Sequence, residues 1–398
     1  MSKIAGKVAK FIETHLEWFL LAGAAIAGIV IRASFKEVQS LDMTGDYVLW
    51  AEELKTMSLS EALRTPVGNY SSLYQLMLYV LAKIPVFSVA TRIKAVSCVF
   101  DYLIAGLFYV IARKEFRTKL SASLAASLVL LSPVVFMNSA AWGQCDSIFT
   151  FFALFSIYLL WKEKRLSSFL LLGVAFMWKF QTLFFVPIYL MMYLRDKKWS
   201  LLWFLAVPAV MFLMYLPNLI AGRPLSMLFG VYSDQAGILP NSMYVNYSNI
   251  YALFTADQEA VKLGSFASIG AIFFAIGAVA VLMVLIFRKK RPDTFDDFLF
   301  ASLLLYMTVV MFLPRMHDRY GYGAEVLALL LVLRNRTAIV PTVLLYVTTL
   351  FHYGLCLFQY AAMPLYVVTL LHLASYAGFL AVYFKNTGDE AKGAANAS

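Results

Sequence analysis

The stretch Ser71-Ser-Leu-Tyr-Gln-Leu-Met-Leu-Tyr-Val-Leu-Ala-Lys83-Ile-Pro-Val-Phe-Ser-Val89 decides the topology of this chain, because it is apolar enough to enter a bilayer yet is interrupted by a lysine. If it crosses, the basic clusters between 113 and 336 face outward while Lys3, Lys7 and Lys10 stay inside. If it does not cross, those lysines share the cytoplasmic side with Arg113, Lys114, Arg117 and Lys119, with Lys162, Lys164 and Arg165, and with Arg195, Lys197 and Lys198. Arg288, Lys289, Lys290 and Arg291, then Arg334 and Arg336, then Lys385 and Lys392 join them. The second arrangement gathers most of the 33 basic residues into short cytoplasmic connections, as membrane topology requires. The segment therefore reads as an interfacial or re-entrant helix inside the first external loop.

Composition sets the class. With 62% hydrophobic residues, 14% charged residues and a mean hydropathy of +0.75 over 398 residues, the chain reads as an all-α polytopic membrane protein. The net charge of +10 is topological, and no nucleic-acid partner is implied. Cys98, Cys145 and Cys356 have neither metal-ligand nor disulfide-framework spacing. The run from Leu16 to Phe35 is too long for a signal-peptide core and reads as a retained first span. Further runs at 95–112, 121–138, 147–161, 167–178, 180–194, 201–220, 264–287, 298–313, 323–333, 338–355 and 364–384 bring the expectation to about twelve transmembrane helices. Both termini then lie in the cytoplasm. The expected organisation is a transmembrane module over 1–220 with its first external loop at 36–94, a long external loop at 221–263, a second module over 264–385 and a disordered tail at 386–398. No internal repeat is visible.

Five polar segments then share the extracytoplasmic side: 36–94, Asn138 to Asp146, Lys179-Phe-Gln181, 221–263 and Pro314 to Tyr322. The first carries Asp42 and Asp46, and its stretch from Tyr47 to Leu63 reads as an amphipathic surface helix. The runs 167–178 and 323–333 make helices of roughly 18 and 17 Å against a hydrocarbon thickness of about 30 Å. Lys179, Gln181, His317 and Arg319 should therefore sit below the membrane surface, where an unpaired charge is costly and a phosphate is a natural partner. The structural alternative is that Lys179 snorkels outward or pairs with Asp146. Trp142, Gln144 and Asp146 offer an apolar platform and polar groups for a sugar, or else an interfacial anchor and a helix cap. Lys94 and Asp101 lie seven apart on one helix face and read as a structural pair. The 221–263 loop, with Asn246, can recognise an acceptor, act as a lid or merely connect.

These segments resemble the polyprenyl-phosphate-sugar-dependent membrane glycosyltransferases of superfamily C, GT-C. More narrowly they look like bacterial relatives of the second mannosyltransferase of GPI-anchor synthesis, and more distantly like the endoplasmic-reticulum glucosyltransferases that extend lipid-linked oligosaccharides. The resemblance is carried by Gly45-Asp46-Tyr47, Gly68-Asn69-Tyr70 with Leu73-Tyr74, Lys94 with Asp101, Trp142-Gly-Gln144-Cys-Asp146, Lys179-Phe-Gln181 before Pro187, and Met316-His317-Asp318-Arg319-Tyr320. It departs from the family pattern at Ser71-Ser72, where a proline is common, and at Asp318, where a glutamate is usual. It implies a catalytic base in the first external loop, best matched by Asp46 with Asp42 as substitute, and the spacing of the two acids speaks against a shared metal.

The expected activity is inverting transfer of a monosaccharide from a polyprenyl-phosphate donor to a hydroxyl of a glycan or lipid-linked acceptor. Lys179, His317 and Arg319 are the candidates for the donor phosphate; Trp142, Gln144, Asp146, Gln181, Tyr70, Asn246 and Tyr320 are those for sugar or acceptor. No particular cofactor is implied, and whether a divalent cation takes part is not decided by these residues. The membrane is expected to be a bacterial plasma membrane with the site facing outward. A lipid-linked glycan flippase or transporter, or a glycan ligase or polymerase, are the alternatives. A flippase usually shows repeats and polar groups on both sides.

Overall fold

The computed structural model describes residues 3–237, 242–254, 265–289 and 291–395, and within them nearly every apolar run forms a helix. The chain begins with α1 (Lys3–Ser34), long enough to cross a bilayer. The loop after α1 then holds a wide helical turn, Met43–Tyr47, followed by α2 (Val48–Thr56), α3 (Leu59–Arg64) and α4 (Ser72–Lys83). Next come α5 (Val89–Glu115), α6 (Lys119–Leu131), α7 (Pro133–Phe136) with a second wide turn at Met137–Trp142, α8 (Asp146–Trp161), α9 (Arg165–Trp178), α10 (Val186–Asp196) and α11 (Ala206–Ile220). The remainder is α12 (Met227–Gly237), β1 (Tyr244–Val245), α13 (Ser265–Lys289), α14 (Phe295–Phe312), β2 (Met316–His317), α15 (Tyr322–Arg334), α16 (Ile339–Phe358) and α17 (Leu365–Ala395). Among the described residues, seven helices are long and apolar enough to span, or eight if the bent pair α6–α7 forms one span. The protein is an integral, polytopic, all-α membrane protein.

The count of about twelve spans is therefore not met by length. Four expected spans are the shorter helices α8, α9, α10 and α15, of 16, 14, 11 and 13 residues. Helix α15 is almost wholly buried within the main core, so little of it has to match lipid thickness. Helix α4 has 12 residues, about 18 Å, too short to cross a 30 Å hydrocarbon layer as a straight helix. Lys83 ends it and donates to Lys55 O (2.8 Å) and Met57 O (3.0 Å), satisfying carbonyls at the end of α2. The amphipathic stretch 47–63 is two helices rather than one. Ser58 breaks it by capping α3 reciprocally with Glu61, a pattern that starts a new helix. Helix α17 runs on to Ala395, where a disordered tail was expected from 386.

The first loop is bound down onto the bundle. Gln75 of α4 donates to Ala62 O and Thr65 O and accepts from Val67 N and Arg223 Nη1, while Asn218 of α11 donates to Leu63 O. At the opposite end of the chain, β1 pairs in parallel with β2, Tyr244 with Met316 and Val245 with His317. That bridge ties part of the long connection between α11 and α13 to the segment carrying His317.

Inside the membrane, Asp101 of α5 pairs with Arg32 of α1 at 2.9 Å, not with Lys94. Arg32 also reaches Leu130 O at 2.8 Å, joining α1, α5 and α6, whereas Lys94 donates to Phe35 O and Val38 O at the end of α1. A guanidinium from a neighbouring helix wins because both groups are buried and its planar fork satisfies several acceptors at once. Asp101→Ala should strand that charge and lower stability by about 3–5 kcal/mol, read as thermal unfolding in detergent. Replacing the pair together, Arg32→Met with Asp101→Leu, should restore most of the loss.

Candidate active site

The two acids of the first loop are placed by wide turns that meet each other. Asp42 precedes the turn Met43–Tyr47, which carries Asp46, and both line one cavity. Facing them, the turn Met137–Trp142 ends at Gly143 in a left-handed conformation, φ 78°. A Cβ there would overlap the Met43 side chain and come within 3.3 Å of Lys94. Ser40 Oγ accepts from Met43 N (3.1 Å) and donates to Trp142 O (3.0 Å), closing the junction. Consequently Trp142 Nε1 (3.0 Å) and Gln144 Nε2 (2.5 Å) both donate to Asp42 Oδ2. Asp46 has no hydrogen-bond partner among the described residues and stays exposed on the cavity side. Partial burial, and then the neighbouring Asp42 charge, raise its carboxyl above the ordinary aspartate value.

Lys179 follows α9 in extended backbone, buried at 4% exposure, and pairs with Asp146 Oδ1. The structural alternative for this lysine is what occurs, although it still lines the cavity. Asp146 Oδ2 accepts from Asn138 Nδ2 at 3.0 Å. Arg319 lies 3.1 Å from Asp318 and 3.8 Å from both Asp42 and Asp146, with its guanidinium over the Trp142 ring. Two cations and three carboxylates thus form one connected network drawn from four parts of the chain. His317 contributes no charge to it: burial, Arg319 and Lys179 push its imidazole down to about 3, so it is neutral.

The cavity measures about 400 Å³, a size ordinary for a small-molecule site. The expected residues Asp42, Asp46, Tyr70, Lys179, Gln181, His317, Arg319 and Tyr320 line it. Trp142, Gln144 and Asp146 do not. They are buried beneath it, with Trp142 and Gln144 donating to Asp42 and Asp146 paired with Lys179, so they stand behind the cavity wall rather than on it. Gln144 Oε1 accepts from Tyr47 OH (3.0 Å), whose hydroxyl also meets Tyr70 OH (2.9 Å). Asn246 likewise lies off the cavity lining, near Cys356 Sγ at 3.6 Å. Tyr70 is placed by the preceding Gly68, φ 71°, whose missing Cβ admits the Trp50 ring.

Sequence reasoning missed Arg315. It lines the cavity, adopts φ 63° and donates to Ser268 Oγ of α13 at 2.9 Å. Its one signal was adjacency to Met316-His317-Asp318-Arg319. Phe180, Leu183 and Ile272, each more than a third exposed, give the cavity an apolar flank. No set of three His, Cys, Asp or Glu side chains among the described residues converges as a metal site.

A description of glycosyltransferase family 87 matches residues 70–314, more than half of the chain. The chain belongs to glycosyltransferase family 87. No curated protein matches it. This membrane glycosyltransferase thus has its family-matching segment inside the cavity walls, from Tyr70 through Lys179 to Pro314, while Asp42 and Asp46 precede that segment and His317 to Tyr320 follow it.

Gly143→Ala should cost roughly 1–2 kcal/mol from the left-handed backbone alone, more once Met43 is displaced. Lower thermal stability together with loss of transferase activity is the expected result. Gly45→Ala, which meets open space in the facing turn, should keep both.

Proposed function

We propose that this glycosyltransferase is inverting and moves a sugar from a polyprenyl-phosphate donor to an acceptor hydroxyl, with Asp46 as base. One observation carries the reading. An acid with no hydrogen-bond partner faces the same cavity as Lys179, Arg315 and Arg319, and that cavity has an apolar flank. Asp46 takes the acceptor proton as the hydroxyl oxygen attacks the anomeric carbon; the anomeric carbon–oxygen bond breaks and its electron pair leaves with the polyprenyl phosphate. Although Lys179 and Arg319 are already paired, an ammonium has three donors and a guanidinium five, so each keeps N–H groups for the phosphate. His317 acts as a neutral hydrogen-bonding group. Phe180, Leu183 and Ile272 suit the first prenyl units, which must reach the cavity sideways from lipid.

The charge pattern supports an extracytoplasmic site. Helix α4 then lies in the outer interface, and the short helices α8, α9, α10 and α15 complete about twelve passes by sitting inside the bundle. A hexose, mannose by the narrower resemblance, and a bacterial plasma membrane belong to the same proposal.

In liposomes given radiolabelled polyprenyl-phosphate monosaccharides and membrane-extract acceptor, Asp46→Asn should reduce transfer by roughly 10² to 10⁴ with thermal stability unchanged. Full activity in that variant would remove Asp46 from the role. The rate should also fall with acid as Asp46 is protonated, at a pH above the ordinary aspartate value because burial and Asp42 raise it. Asp42→Asn removes the like charge and should move that limb to lower pH. No limb should appear near the ordinary histidine value, since His317 is already neutral there.

A further inference from the structure

Tyr47 and Tyr70 both line the active-site cavity, and their hydroxyls lie 2.9 Å apart. Burial holds each phenol above the ordinary tyrosine value, so each keeps its single hydrogen at neutral pH. Which of the two donates is fixed by the residues behind them. Asp42 Oδ2 accepts from Trp142 Nε1, with the Arg319 cation 3.8 Å away, so that oxygen is an acceptor and Gln144 must turn an N–H towards it. Gln144 Nε2 therefore faces Asp42, and Gln144 Oε1 faces Tyr47. An amide oxygen has no hydrogen to give, so Tyr47 donates its own to Gln144, at 3.0 Å. The hydrogen between the two tyrosines then comes from Tyr70.

Tyr70 is thus a hydroxyl with a fixed direction. Its hydrogen goes to Tyr47, and its oxygen offers the cavity lone pairs but no donor. The ring cannot swing away, because it packs on Tyr74 at 4.6 Å between centroids, on Tyr47 at 5.7 Å and on Trp50 at 5.8 Å. Gln181, in the same lining, behaves differently. Its Oε1 is buried with no hydrogen-bond partner, and an amide can turn to present either oxygen or N–H, so it imposes no polarity on a ligand. Lys179 Nζ stands 5.9 Å from the centre of the Tyr70 ring. The one-way acceptor is therefore beside the cation assigned above to the donor phosphate.

We propose that Tyr70 is a specificity-determining residue whose oxygen accepts a hydrogen bond from one hydroxyl of the transferred sugar, so that the enzyme selects donors carrying an O–H at that ring position. A sugar with hydrogen there leaves the Tyr70 oxygen unpaired in the cavity wall, and a sugar with fluorine sets two acceptors against each other. Tyr47 and Gln144 are positioning residues in this scheme, since they carry the polarity from Asp42 to Tyr70. The inference rests on the sugar-phosphate donor proposed above, through Lys179, and not on which acid is the base.

The test uses the full-length protein in liposomes with polyprenyl-phosphate monosaccharides in which each ring hydroxyl in turn is replaced by hydrogen or by fluorine, and compares kcat/KM between donors. At one ring position the wild type should lose roughly tenfold or more on either replacement. Tyr70→Phe keeps the ring and strands no donor, so it should fold, lose activity with the parent sugar, and use the parent and deoxy sugars within roughly twofold of each other. Tyr47→Phe releases the Tyr70 hydrogen to the cavity, and the ratio of fluoro to deoxy donor at that position should rise roughly threefold over the wild-type ratio, a comparison in which fluorine's own effect on the chemistry cancels. If Tyr47→Phe does not fold, Tyr70→Phe still decides. Discrimination that persists in Tyr70→Phe, or an equal loss with every donor, overturns the proposal. Discrimination lost among deoxy acceptors but kept among donors shows that the oxygen reads the acceptor and overturns the assignment to the transferred sugar. No transfer from any polyprenyl-phosphate sugar overturns the donor class and this inference with it, whereas full activity in Asp46→Asn removes the base and leaves the tyrosine ratios standing.

Discussion

Charge pairing inside an apolar slab is the constraint on which the site depends. Lys179 and Asp146 are buried at 4% and 2% side-chain exposure, and neither could remain ionised there alone without a cost of several kcal/mol. Arg319 extends the pair to Asp42 and Asp318, so the segments after α1, before α8, after α9 and after α14 are held in one register. Such a network is weak evidence for net stability, because desolvation cancels much of the attraction. Its value is geometric. In the proposed reaction, donors that are already fixed need not reorganise as charge grows on the leaving phosphate, and that is where electrostatic catalysis gains most.

The two acids of the first loop show how environment divides labour between identical groups. Asp42 is tied on one oxygen by Trp142 and Gln144 and approached by Arg319, so its role is to be held. Asp46, four residues on, keeps both oxygens uncommitted and gains affinity for protons from burial and from Asp42 itself. In the proposed reaction this makes Asp42 a positioning residue that also tunes the base.

Much of this was legible in the sequence, and the remainder was hidden for physical reasons. Hydropathy revealed the membrane class, and Lys83 marked a helix that is too short to cross straight. Topology also predicted that residues near 42–46, 179–181 and 317–320 would share one side, and they line one cavity. What a polar side chain faces is a different matter. Trp142 and Gln144 carry the groups a sugar needs, but those same N–H groups suit a carboxylate, and only the meeting of two turns far apart in sequence decides between them. Asp101 shares a helix face with Lys94, yet Arg32 of another helix takes it. Arg315 has no distinguishing spacing at all; its left-handed backbone and its bond to α13 are tertiary facts. The break at Ser58 was different, since Ser58 and Glu61 are a readable capping box, and the amphipathic periodicity on either side concealed it.

Wide turns are uncommon and concentrate at functional sites, and here two of them abut. Each interrupts the regular bonding of a helix and would relax to it if free. Neither is free: Ser40 binds the backbone of both, Gly143 leaves room only for Met43, and Asp42 is gripped by the residues around Gly143. The irregularity of one turn is thus maintained by the other. That mutual support explains why the residues around Asp46 can be so open. The turn that carries it is braced from behind, so it can face a cavity with an exposed acid and a bare glycine without needing contacts there to keep its shape.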